Sequence, residues 1–344
     1  MRIIITGGAG FIGCNAAARY IRRGDDVTVL DNLSRPGADL NLGWLQTVGS
    51  FEFVEADIRD YGLLKDLFSR EGEVDSVLHL AAQVAVTTSV TEPRNDFEVN
   101  ALGTFNVLEA IRESGRSPVL IFSSTNKVYG KLDDMTVREE EIRYVFGGGK
   151  TAVPETQPLD FHSPYGCSKG SADQYVRDYS RIYGLKTVVM RQSCIYGPRQ
   201  FGIEDQGWVA WFVIAALTGK KITVYGDGKQ VRDILYMDDL LDSFDAAIRN
   251  IDQCAGKVFN IGGGPENTIS LLEFLELLEE YFGRKVDYTF SDWRPGDQKI
   301  YVSDISRAAW ELDWEPKVSN REGIRYLYDW VLENKQTIKQ ALME

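Results

Sequence analysis

An apolar run, Ile3-Ile4-Ile5, passes directly into Thr6-Gly7-Gly8-Ala9-Gly10-Phe11-Ile12-Gly13. Gly8, Gly10 and Gly13 fit one dinucleotide-loop spacing, and Gly7, Gly10 and Gly13 fit its close relative. Glycine is needed where a chain turns tightly out of a strand, approaches a pyrophosphate, and lets the next helix pack against that strand. A helix starting near Gly10 then offers the unpaired N–H groups of Phe11, Ile12 and Gly13 to phosphate. Asp31 ends the second strand, 18 residues beyond Gly13. A carboxylate there accepts hydrogen bonds from both adenosine ribose hydroxyls and repels a 2′-phosphate, so the cofactor expected is NAD rather than NADP. Arg35 pulls in the opposite direction. Asp57-Ile58, after the third strand, stands where it either flanks the adenine or caps the next helix.

Strand and helix patterns alternate through the first half. Apolar runs at Val27–Leu30, Phe51–Val54, Val74–Leu80, Val119–Phe122 and Thr187–Arg191 are separated by helical stretches near 10–24, 61–70 and 95–114. Strands apolar on both faces, joined by helices, predict an α/β fold with a doubly wound parallel (Rossmann) sheet. Past residue 197 the pattern loosens into helices near 208–217, 238–251 and 271–282 and strands at Ile222–Tyr225 and Val258–Ile261. The division expected is a cofactor-binding domain over 1–197, including the tyrosine–lysine helix, and a smaller α/β domain over 198–344 given mainly to the nucleotide sugar. Residues 131–160, acidic and glycine-containing, read as a surface excursion near the site.

Composition narrows the function. Hydrophobic residues make up 44% of the 344 and charged residues 26%, as in soluble globular chains. A net charge of −13, without a lysine/arginine cluster, argues against nucleic acid and anionic membranes. Four scattered cysteines and two histidines do not supply a zinc set, so no metal is expected. No secretion leader pattern precedes the first strand, which points to a reducing, cytoplasmic setting.

Chemistry is carried by Tyr165-Gly166-Cys167-Ser168-Lys169. Tyrosine and lysine four apart share one helix face, and Pro164 suits the helix start. A phenol titrates near 10, too high for a base at neutral pH. The Lys169 ammonium and a positive nicotinamide ring would favour the phenolate. Ser123-Ser124-Thr125-Asn126-Lys127 sits just past the Val119–Phe122 strand, at the edge where open α/β sheets bind ligands. Thr125 is placed to hold the substrate oxygen.

With His79-Leu80-Ala81-Ala82, Asn100, Val128-Tyr129-Gly130, Arg191 through Pro198, Arg232-Asp233 and Arg294-Pro295-Gly296-Asp297, these features resemble the extended short-chain dehydrogenase/reductase superfamily. The resemblance is to its NAD-dependent sugar-nucleotide epimerases and dehydratases. It implies a cofactor set completed by Asn32, Ser34, Leu80, Ala81, Ala82, Asn100 and Ser123. It implies a substrate set of Gln83, Thr125, Asn126, Lys127, Ser193, Arg199, Gln206, Val224, Arg232, Arg294 and Tyr301. The two arginines 232 and 294 would neutralise the nucleotide diphosphate, and Tyr301 would face the sugar. Within the family, segments 123–130, 159–170 and 205–208 look most like the 2-epimerases of CDP-linked hexoses (CDP-paratose/CDP-tyvelose or CDP-glucose/CDP-mannose). Dehydratases typically carry Asp-Glu where this chain has Asn126-Lys127. The implied reaction passes through a transient 2-keto sugar, with NAD tightly held and regenerated each cycle. UDP-glucose 4-epimerases share most of these motifs and are the main competitor. A cofactor-binding regulator without turnover is the non-enzyme alternative, and a homo-oligomer, dimer or tetramer, is expected.

Overall fold

A computed structural model describes residues 1–70, 72–294 and 297–342. Seven strands form one parallel sheet: β1 (Arg2–Thr6), β2 (Asp26–Asp31), β3 (Glu52–Glu55), β4 (Ser76–His79), β5 (Val119–Thr125), β6 (Thr187–Gln192) and β7 (Val258–Ile261). Their spatial order is β7-β6-β5-β4-β1-β2-β3. The chain winds outward from β1 in both directions, so the sheet's crevice lies at the carboxyl end of β1 and its neighbours. Ile5 sits between Val29 of β2 and Leu78 of β4 in register. Ile3, Ile4 and Ile5 are all buried, because helices cover both faces. One face packs Ile3 and Ile5 with Ala17 of helix α1 (Phe11–Arg23); the other packs Ile4 with Leu64 and Val107.

One strand from beyond residue 197 belongs to this sheet. Val258–Ile261 returns to it as the edge strand beside β6, because its four residues are apolar or internally bonded and fully buried. The remainder of the second half builds a separate core around Phe212, Phe274, Leu278 and Ile324. Helix α2 (Ala38–Val48) and the helices Asn320–Glu333 and Lys335–Ala341 lie outside the stretches expected to be helical; the second begins on a capping box, Ser319 with Glu322. The helical stretch near 95–114 forms in three pieces: Pro93–Phe97, a π-helical turn Glu98–Leu102, and Gly103–Glu113.

The segment expected as a surface excursion is partly interior. Strands Val137–Glu139 and Tyr144–Phe146 pair as a hairpin, and Leu132, Met135, Tyr144, Phe146 and Val153 join Tyr129 and Tyr301 in a common apolar cluster. The acidic residues mask an alternation of buried aromatics, which is why composition alone misplaces it. Among the described residues, no helix is long and apolar enough to cross a membrane.

Candidate active site

The loop after β1 is shaped for close approach. Gly7 has φ +69°, and a Cβ there would lie 2.7 Å from the Ala81 nitrogen; a Cβ on Gly13 would lie 2.1 Å from the Gly7 carbonyl oxygen. No side chain caps the N-terminus of α1, so its first-turn N–H groups are left for an anion. Asp31 lies buried at the end of β2, where Oδ2 accepts from the Ala9 N–H at 3.0 Å and Oδ1 from the Leu33 N–H at 2.8 Å. Burial pushes its carboxyl up, and these backbone donors pull it back. The glycine cradle, the uncapped helix and this carboxylate fit a dinucleotide running from pyrophosphate to adenosine ribose.

The neighbouring predicted cofactor residues divide. Asn32 holds Ser34 through its Oδ1 and donates to Asp57 at 2.9 Å. Asp57 is paired with Arg59 at 2.7 Å, which holds its carboxyl down at about 2; it anchors the rim of the loop and does not cap the next helix, a role taken by Asp60. Ile58 is buried against Gly103. The Leu80 and Ala81 N–H groups donate to Thr6 Oγ1, which fixes Leu80-Ala81-Ala82 beside Gly7. Arg35 donates to Gln206 at 2.7 Å, joining a predicted cofactor residue to a predicted substrate residue.

At the centre of the crevice, β5 runs further than its apolar stretch suggests. Ser123, Ser124 and Thr125 continue in register with Met190, Arg191 and Gln192 of β6, so Thr125 is the last residue of a strand and not part of a loop. Its Oγ1 accepts from the Lys127 N–H at 3.2 Å and caps the turn Asn126–Tyr129. Tyr165 and Lys169 rise from helix α3 (Ser163–Tyr183), whose first residue, Ser163, is held at φ +68°, a conformation non-glycine residues seldom adopt. The Thr125 side chain acts on the Tyr165 hydroxyl, favouring its ionised form. Lys169 Nζ donates to the Ser123 carbonyl at 2.6 Å and lies 4.3 Å over the Phe122 ring.

Burial dominates the electrostatics of Tyr165 and Lys169. Burial pushes the Tyr165 phenol up to about 12, the Thr125 side chain opposes this, and the Asp96 carboxylate adds to the rise. Burial likewise pulls the Lys169 ammonium down to about 7, against Asp173 and Asp96. His79 is structural: buried between Thr6 and Thr104, it is held neutral with its pKa down at about 3.

The substrate set is only partly assembled. Asn126, Lys127 and Arg232 gather beside Thr125; burial lowers Lys127 to about 8, and the Arg232 charge adds to this. Arg232 pairs with Asp297 at 3.5 Å. Arg294 lies 3.9 Å over the Tyr225 ring and bonds Asp205 at 3.1 Å. Four of the predicted residues make contacts within the fold itself. Tyr301 is fully buried and stacks on Tyr129 in the core, and Val224 is buried in the second core. Arg199 lies 4.3 Å over the Trp44 ring of α2, on the cofactor side. Gln83 is spent on Asp96 and the Ala85 carbonyl. Ser193 donates to Asp233 at 2.5 Å, and Asn100 bridges Gln83, Asp96 and Ser168; both brace the site.

Sequence reasoning missed Asp96, Ser168 and Asp173. Asp173 follows Lys169 by four residues on the same helix face, a legible signal. Asp96 has none, because the π-helical turn after it breaks the helical periodicity that would align it.

The sequence matches the GDP-mannose 4,6 dehydratase family over residues 4–327. The chain belongs to that family. In the extended short-chain dehydrogenase/reductase fold of the GDP-mannose 4,6 dehydratase family, 47% of 335 residues are identical to the CDP-paratose 2-epimerase of Salmonella typhi, covering 96% of this chain and 99% of that one. A UDP-glucose 4-epimerase structure from Thermotoga maritima, solved with UDP-glucose, is 33% identical with a TM-score of 0.83, covering 97% of this chain and all of that one. A second, from Thermus thermophilus in complex with NAD, is 34% identical with a TM-score of 0.81, covering 96% and 98%.

Proposed function

We propose that this chain inverts C2 of a CDP-linked hexose, with NAD as a tightly held cofactor. The observation that carries the reading is the 47% identity, end to end, with a CDP-paratose 2-epimerase. The glycine cradle, the α1 N-terminus and Asp31 would hold NAD, with Leu80-Ala81-Ala82 and Ser123 along its path. When bound, NAD supplies the acceptor and donor for the carbon-bound hydrogen.

Tyr165 takes the proton from the sugar 2-hydroxyl and later returns it. Thr125, whose side chain acts on the Tyr165 hydroxyl, holds the same oxygen. Lys169 steadies the phenolate by charge. Arg232 and Arg294 neutralise the diphosphate, which lets a protein of net charge −13 take an anionic substrate. Asn126 and Lys127 bring no carboxylate beside Thr125, so the pair of acids needed to expel water from a sugar is lacking at those two positions.

Incubation with CDP-glucose and with UDP-glucose, followed by NMR of the products, tests this. CDP-mannose is expected from the first, and a 2-deoxy analogue should be inert. Galactose-configured product from either nucleotide, with no mannose-configured product, overturns C2 in favour of C4.

A further inference from the structure

We infer that segment 198–206 is a strap beside the cofactor site and that Asn15 is the positioning residue that fastens it, so that NAD enters and leaves only when the strap lifts. The inference rests on the reading of the glycine cradle and Asp31 as the NAD site.

The segment follows the cofactor loops point by point. Asn15, on the second turn of α1, donates through one amide to two carbonyls: Phe11 of the cradle at 2.8 Å and Pro198 of the segment at 2.9 Å. Asn41 of α2, which is buried, repeats the arrangement between Ala9 and Arg199, at 3.2 and 3.5 Å. The Ala9 N–H meets Asp31, so Ala9 links the segment to the carboxylate expected to hold the ribose. Arg199, at φ +66°, lies over the Trp44 ring of α2. The Phe201 ring sits so close on Gly37 that a Cβ there would come within 2.3 Å of it, and Gln206 accepts from Arg35. The segment thus runs along the adenosine half of the expected cofactor path, from the cradle to the loop after Asp31. Its tip is pinned from the second half of the chain, where Tyr225 donates to Glu204 at 2.9 Å and Arg294 to the Glu204 carbonyl and Asp205, both at 3.1 Å. Among the described residues, no backbone–backbone hydrogen bond joins the segment to residues 7–41. Side chains alone fasten it there, so it can lift without undoing the sheet.

A strap that closes behind the cofactor governs traffic in both directions. Weakening it raises the open fraction, so entry and release quicken together with little change in affinity. Damage to the cradle instead quickens release and leaves entry as it was. The test is Asn15→Leu, which keeps the side-chain volume and removes the donor, followed by stopped-flow NADH fluorescence. Entry is read on the full chain stripped of cofactor, and release by chasing bound NADH with excess NAD⁺. Both rates are expected to rise about tenfold, as the loss of one to two neutral hydrogen bonds implies, with Kd held within about threefold. Phe201→Ala, further along the strap, should act in the same direction and carries the test if Asn15→Leu does not fold. Asn106→Leu breaks a bridge of the same kind between the Ile58 and Arg59 carbonyls, at 3.1 and 3.2 Å, without touching the strap; entry there should keep its wild-type rate. Release that quickens without entry, unchanged rates, or an equal gain in entry for Asn106→Leu overturns the inference while NAD binding stands. A wild-type chain that binds no NADH overturns it together with the cofactor reading. No sugar substrate is used, so these outcomes are independent of C2 inversion.

Discussion

Arg191 on β6 and Asp173 on α3 form a bidentate pair, both contacts 2.9 Å, with side chains 2% and 0% exposed. Ser124 donates to the same carboxylate at 2.8 Å, and Arg191 reaches the Tyr129 hydroxyl at 3.1 Å. The network ties α3 to β5 and β6, the strands at whose edge Thr125 lies.

Breaking that pair from one side leaves a buried charge without its partner. Arg191→Met is expected to cost roughly 3–5 kcal/mol of folding stability, read by denaturant unfolding. Arg191→Met/Asp173→Asn should recover most of the loss, because no lone charge remains. Additive losses would show that the pair contributes through packing alone.

The glycine loop supports a sharper contrast between two glycines. Gly13→Ala drives a Cβ to 2.1 Å from the Gly7 carbonyl oxygen, so the loop must shift; a stability loss of about 1–3 kcal/mol is expected, with NAD affinity falling at least about tenfold as a 1.4 kcal/mol loss of contact implies. Gly43→Ala, in α2 with open space around it, should be neutral or stabilise by up to about 1 kcal/mol. Calorimetry with and without NAD checks both. Equal behaviour of the two variants would deny the loop its role.

Tyr165→Phe should retain NAD and lower epimerisation by about 10²–10⁴-fold, the usual worth of a positioned base. The sign of the pH dependence follows from the phenol being pushed up to about 12 by burial: phenolate is the active form, so turnover rises with pH until Tyr165 ionises. Bound NAD⁺ adds a positive charge and should move that limb to lower pH. A flat acid limb in the wild type, or full turnover in Tyr165→Phe, would remove Tyr165 from the chemistry.

The parallel sheet was readable because its strands are apolar on both faces, and the glycine loop because backbone geometry allows few residues there. Tyr165 and Lys169 were readable through helical spacing. The burial of Tyr301 and Val224 is not legible from a family position, which says nothing about which face of a strand meets the core. Asp96 escaped because its neighbours in space, Ser168 and Gln83, lie 72 and 13 residues away in sequence. Polar networks of this kind are assembled by topology, and no local periodicity announces them.

Cofactor choice turns on Asp31, Arg35 and Gln206 together. Asp31 presents a carboxylate to the expected ribose position, while Arg35, a cation suited to a 2′-phosphate, is engaged by Gln206 at 2.7 Å. Asp31→Ser removes the repulsive charge and a charged hydrogen-bond acceptor, so NAD binding should weaken about tenfold or more, given roughly 1.5–3 kcal/mol for such a bond. Discrimination against NADP should relax in the same variant. Full NADP binding needs more, because Arg35 must leave Gln206 before it can pair with a phosphate. Asp31→Ser/Gln206→Ala is therefore expected to bind NADP more tightly than Asp31→Ser alone, whereas Gln206→Ala by itself should leave the preference for NAD in place. Titration of both cofactors against the three variants decides it. If the double variant gains nothing for NADP over Asp31→Ser, Arg35 is not the group that Gln206 withholds.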